Sequence, residues 1–75
     1  MTPYYNFSEA LQMLILGTAF TREGWNGKHS IRLQKPDENS KMTLPYIYIT
    51  TDKGDVVPWI ASQSDILATD WLIVN

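Results

Sequence analysis

The chain has 75 residues, a formal charge of -2, 19% charged and 44% hydrophobic residues, no cysteine and a single histidine, His29. That length supports at most one domain, spanning 1–75, and a domain so small buries only about 60% of the surface its unfolded chain exposes. Disulfides and thiolate metal sites are excluded, the slight acidity argues against a nucleic-acid polymer as partner, and no apolar run approaches the ~20 residues that span a bilayer.

Oligomerisation is the support left to so small a core. The N-terminus lacks the charged and apolar regions of a signal peptide, so cytoplasmic residence is expected. Charge is uneven along the chain: Arg22, Lys28, Arg32, Lys35 and Lys41 fall in one stretch, and only Lys53 follows Met42 among the basic residues. Such a stretch faces an anionic ligand or forms a solvated surface.

In chain order, Phe7, Ala10, Leu11, Leu14 and Ile15 recur at helical spacing and predict a helix over 7–16 with one apolar face. Asn6 and Glu9 have capping-box spacing, and Gly17 is placed to end the helix in a left-handed conformation. Residues 18–22 read as a short strand. Gly24-Trp25-Asn26-Gly27 reads as a hairpin turn, because Asn-Gly supplies positive backbone angles. From His29 to Gln34 polar and apolar residues alternate as in a half-buried strand, and 35–41 is a polar loop.

Tyr46-Ile47-Tyr48-Ile49-Thr50 alternates without a plainly polar face, so both faces are expected to be covered, one by a helix and the other by a second subunit. Asp52 to Asp55 forms a tight turn before a strand at Val56-Val57, with Pro58 at a strand end or sheet edge. Ser62 and Asp65 form a second capping-box pair ahead of a short helix to about Ala68, and 70–74 is a final strand. The fold class expected is α+β: a small single domain with an N-terminal helix packed on a mostly antiparallel sheet and a short second helix.

Catalytic chemistry finds little support in these residues. A hydrolase triad would need His29, beside which the sequence places no Ser or Asp, and a lone strand histidine is ordinarily structural. No phosphate-cradling glycine loop is present. Asp65 and Asp70 are better explained as a helix cap and a turn residue than as a carboxylate pair. Binding chemistry is better represented. Arg22, Trp25 and Asn26 lie within five residues, offering a planar fork for phosphate, an indole for stacking a base and an amide for a base or ribose edge. The alternative is that Trp25 caps the core and Arg22 pairs with Glu23 or Asp70.

Four ordered segments carry a resemblance: Phe7-x-x-Ala10-Leu11-x-x-Leu14-x-x-Gly17; Arg22-x-Gly24-Trp25-Asn26-Gly27; Leu44-Pro45-Tyr46-Ile47; and Pro58-Trp59-x-Ala61-Ser62-Gln63-x-Asp65-x-x-Ala68-x-Asp70-Trp71. Together they resemble the phage Thoeris anti-defence protein 2 family from Phe7 to Val74. The resemblance implies a non-enzymatic sponge, without cofactor or metal, that sequesters a cyclic ADP-ribose isomer and so blocks bacterial Thoeris defence. It implies homotetramers with pockets between protomers, acting in the cytoplasm of the infected bacterial host.

Carried over residue by residue, the resemblance implies ligand contacts at Arg22, Trp25 and Asn26 and, from the second signature, at Trp59, Ser62, Gln63 and Asp65. Trp71 is assigned to the core. The chain departs from the family pattern in its extended start, Met1 to Tyr5, in a short 35–42 loop, and at Leu16, where many relatives carry a basic residue. The competing expectations are capture of cyclic dinucleotides, a ligand-free structural or interaction module, and an enzyme that degrades the signal.

Overall fold

The computed structural model describes residues 3–25 and 28–74. The Asn26-Gly27 corner of the predicted hairpin, and with it the expected ligand contact at Asn26, lies outside the described residues. Helix α1 runs from Phe7 to Ile15. Its start is fixed as the sequence predicts. The Asn6 side chain accepts from the Glu9 amide at 2.8 Å, while Glu9 reaches back to the Asn6 amide at 3.0 Å. Its end is set by Gly17, whose φ of 103° is open to a residue without a Cβ. The predicted sixteenth residue, Leu16, is the C-cap.

Five strands follow: β1 (Ala19–Arg22), β2 (Ser30–Gln34), β3 (Tyr46–Thr50), β4 (Val56–Pro58) and β5 (Trp71–Val74), with the four-residue helix α2 (Gln63–Ile66) between the last two. They form one sheet in the order β4-β3-β2-β1-β5, and every pair is antiparallel. The α+β class expected from the sequence is therefore the fold. Beyond β1, β5 forms one edge and sets Trp71 opposite Arg22. Strand β4 forms the other edge, and Pro58 sits at its end, where a missing amide removes no interior ladder bond.

The register puts Phe20, Ile31 and Ile49 side by side on one face. Helix α1 lies on that face and closes a core of Ala10, Leu14, Phe20, Ile31 and Trp71, with Ile47, Ile49, Trp25 and Trp59 packed around it. The apolar stripe read from the helix is wider than its buried line. Ala10 and Leu14 are fully buried, whereas Leu11 and Ile15 flank them at 36% and 49% exposure.

Strand alternation sends Tyr46, Tyr48, Leu72 and Val74 to the opposite face. No described element covers it, and of the two covers expected for β3 the chain itself supplies only the helix. Among the described residues, no helix is long and apolar enough to cross a membrane.

Candidate functional site

The site is built at one end of the sheet, where the β1–β2 turn, the start of α2 and the start of β5 converge. Asp65 is its hub. As the third residue of α2 it completes the predicted capping box. Its amide donates to the Ser62 hydroxyl at 3.1 Å, and its carboxylate accepts from the Ser62 amide at 3.0 Å. The same carboxylate accepts from Arg22 Nη1 at 2.9 Å and from the Trp25 indole at 3.1 Å. Its carbonyl accepts from the Trp71 indole at 3.0 Å. Asp65 is 8% exposed, a buried carboxylate that accepts three hydrogen bonds.

Arg22 joins this hub to a second one. Its Nε donates to Asp70 at 2.9 Å, and the other oxygen of Asp70 accepts from the Gly24 amide at 2.8 Å. A Cβ at position 24 would approach that oxygen to 3.1 Å and push the carboxylate back by a few tenths of an ångström. The guanidinium carbon also stands 6.0 Å from the centre of the Trp71 ring. Of the two roles open to Arg22 in the sequence, pairing with Asp70 is present, and Asp65 adds to it. Nε and Nη1 are engaged, which leaves Nη2 as the edge available to a ligand. Tyr4 straps the turn from outside by donating its hydroxyl to Glu23.

These bonds set the protonation states. Hydrogen bonding to Arg22 holds the Asp70 carboxyl below the usual carboxylate range, with the Gly24 amide adding to the effect and burial opposing it. For Asp65 burial is the largest influence and pushes the carboxyl up, but Ser62, Arg22 and Trp25 together outweigh it, so this carboxyl too lies below the usual range. Arg22 is raised, chiefly by Asp70.

Both folded carboxyls are stronger acids than their unfolded counterparts, which titrate near ~3.9. The unfolded chain therefore binds more protons as pH falls, and the stability these groups contribute is full above that value and lost through the folded pKa values below it. Urea unfolding followed between pH 5 and pH 2 should show this decline. In Asp70→Asn the decline should be shallower and stability at neutral pH lower; an unchanged slope would place the proton linkage elsewhere.

Above the hub the three indoles meet edge to face. Trp25 and Trp71 are 5.3 Å apart at 83°, Trp59 and Trp71 6.0 Å at 87°, and Trp25 and Trp59 6.3 Å at 65°. Phe7 of α1 closes the group at 5.5 Å from Trp71 and 6.0 Å from Trp59. Each such pair contributes about 0.5–1.5 kcal/mol beyond its area burial. Trp71 is fully buried at the centre, as the sequence assigned it. Trp25 and Trp59 are half-buried and present ring surface outward.

Two hollows flank Trp25. One, of about 330 Å³, is lined by Trp25, His29, Ile49, Thr51 and Trp59 on the helix side of the sheet. The other, of about 420 Å³, includes Arg22, Trp25, Lys28, His29 and Leu72. Trp25 and His29 line both and form the wall between them. The structure thus brings Arg22, Trp25, Trp59 and Asp65 into one assembly. Ser62 and Asp65 act within the capping box and line neither hollow, and Gln63 is exposed on the first turn of α2.

Sequence reasoning passed over His29, Ile49, Thr51 and Lys28. The alternation of β3 already put Ile49 and Thr51 on one face, and the basic stretch already contained Lys28. Among the described residues, no cluster of three or more metal-ligating side chains is present.

The chain is similar to Thoeris anti-defense 2 of Bacillus phage SP01, with 32% identity over 84 aligned positions that cover 93% of this chain and 94% of that protein. The family of Thoeris anti-defense 2-like domains matches residues 5–74, from the Tyr5 bridge to Trp71 through the last residue of β5. The chain belongs to the Thoeris anti-defense 2-like domain family.

Proposed function

We propose that this protein is a phage anti-defence sponge that binds a cyclic ADP-ribose-type signal without cleaving it, and so silences Thoeris immunity in the cytoplasm of the infected bacterium. The observation that carries this reading is the pair of hollows divided by Trp25. On one side Trp25 and Trp59 offer two indole surfaces and Thr51 a hydroxyl, which suits a purine and its ribose. On the other side Arg22 and Lys28 place two cations beside the same wall, which suits a pyrophosphate.

In this reading Trp25 and Trp59 stack the base, Nη2 of Arg22 meets the phosphates, and Asn26 and Gln63 are further ligand contacts. Ser62 and Asp65 hold Arg22 and Trp25 in position. Both Asp65 and Asp70 are bonded to Arg22 and ionised at neutral pH, so neither is poised to donate a proton to a leaving group.

A hollow of about 330 Å³ is at the small end for a ligand site. Capture of a scarce signal calls for nanomolar binding, about -12 kcal/mol. A homotetramer with pockets completed between protomers supplies the missing enclosure. The uncovered sheet face, with Tyr46, Tyr48, Val56, Leu72 and Val74 around Arg32 and Gln34, offers it a mixed aromatic, aliphatic and polar contact surface.

The test is to incubate purified protein with cyclic ADP-ribose isomers, filter, and heat the retained protein. The expected result is depletion of one isomer from the filtrate and its recovery intact after heating. A changed product would mark an enzyme, and no depletion a ligand-free module. A parallel incubation with cyclic dinucleotides reads out that alternative directly.

A further inference from the structure

His29 stands in the wall shared by the two hollows, with its ring edge-on to Trp25 at 6.4 Å and 80°. Its backbone is anchored, because the His29 carbonyl accepts from the Thr21 hydroxyl at 2.6 Å. Its Nδ1 is screened from solvent and has no hydrogen-bond partner among the described residues. It is also the one buried side-chain nitrogen or oxygen among those residues in that condition. A polar atom withdrawn from water and left unpaired is unfavourable, and native structures leave few of them.

A histidine that only filled space here would be better replaced by an apolar ring. The χ2 torsion of histidine is broad and roughly two-fold, and a half-turn about it exchanges the ring nitrogens with ring carbons, so engagement of Nδ1 by a ligand requires that turn.

We propose that His29 makes a direct hydrogen bond to the polar edge of a heterocyclic base seated in the hollow against Trp25 and Trp59, and that this bond selects among bases that stacking alone accepts. The inference rests on the nucleotide-binding reading above and names the residue that gives that site its specificity. Indole stacking is tolerant of base identity, because every base has a π-face. Discrimination has to come from a directed polar group, and His29 is the side chain with an unused one at this wall.

Because the chain has one histidine, the imidazole nitrogens can be followed in the intact protein by ¹⁵N NMR without assignment. Saturation with the captured cyclic ADP-ribose isomer should shift one ring nitrogen strongly, by more than the ring currents of a stacked base produce. His29→Phe, which keeps the ring and removes both nitrogens, should bind that isomer about ten-fold more weakly or worse. His29→Asn or His29→Gln should recover part of the loss, and the better of the two identifies the nitrogen used. Melting temperature and oligomeric state are read on each variant.

An unmoved ¹⁵N spectrum on saturation overturns the proposal even if every variant fails to fold. So does wild-type affinity in a folded His29→Phe protein, and in either case nucleotide capture itself stands. If the wild-type protein binds no nucleotide at all, both readings fall together.

Discussion

Trp71→Ala is expected to unfold the protein. Trp71 is the largest fully buried side chain, it meets Phe7, Trp25 and Trp59, and its indole nitrogen donates to the Asp65 carbonyl. Truncating a buried tryptophan costs about 3–5 kcal/mol through lost transfer energy and the cavity left behind. A two-state domain of this length has about 4–11 kcal/mol in total, at the usual range per residue. The loss is therefore comparable to the whole. Far-ultraviolet circular dichroism and a urea titration at 25 °C should show no cooperative transition, or a midpoint near zero denaturant. Trp71→Phe, which keeps an aromatic ring but removes the indole bond to the Asp65 carbonyl, should fold with a clearly lowered midpoint. A native-like transition in Trp71→Ala would mean that the core closes without its central ring.

Arg22→Ala is the second large effect, and the geometry makes it an effect on stability before it is one on binding. The Arg22 side chain is 18% exposed, between carboxylates at 12% and 27%. Removing one partner of a buried ion pair costs about 3–5 kcal/mol, and exposed pairs are worth less than 1, so this partly buried triad should lose about 2–4 kcal/mol.

Most of that loss comes from the carboxylates left unpaired. Arg22→Met combined with Asp65→Asn and Asp70→Asn should therefore be more stable than Arg22→Met alone, as read by urea midpoints. Arg22→Lys should not restore the wild type, because a point charge cannot serve Asp65 and Asp70 with the fixed geometry of Nε and Nη1. If Arg22→Ala keeps its urea midpoint and loses only capture, the pairing with the two aspartates is incidental to folding.

The two capping boxes were readable because they are local: Asn6 with Glu9 and Ser62 with Asp65 lie three residues apart, and the backbone geometry follows from that spacing. Gly17 was readable for the same reason. Strand existence followed from alternation in β2 and β3 and from β-rich or apolar composition in the others, with β3 at its expected bounds and the rest within one residue of theirs.

The position of β5 beyond β1 could not be read, because nothing local in Trp71–Val74 says which strand it joins. The site divided along the same line. Trp25 was visible in its turn and Trp59 through the family resemblance, and their meeting follows from the fold. The pairing of Arg22 with Asp70 was open as an alternative, but its bond to Asp65, 43 residues away, lies beyond the reach of any motif spacing. His29 was passed over because a lone strand histidine is ordinarily unremarkable. What distinguishes it is the absence of a partner, which only three-dimensional packing reveals.

The placement of β5 has a consequence for how the chain reaches this structure. Strands β1 to β4 form a meander whose neighbours lie close in sequence, and such pairings form quickly because little loop entropy opposes them. The β1–β5 ladder instead joins Arg22 to Trp71 and Ala19 to Val74. Until β5 arrives, the meander has an open edge at β1 and the aromatic cluster lacks its centre. On the ribosome this core therefore cannot be completed until β5 has emerged. Folding should then proceed as one late, cooperative event, and the half-made sheet is the species most exposed to mispairing with another copy.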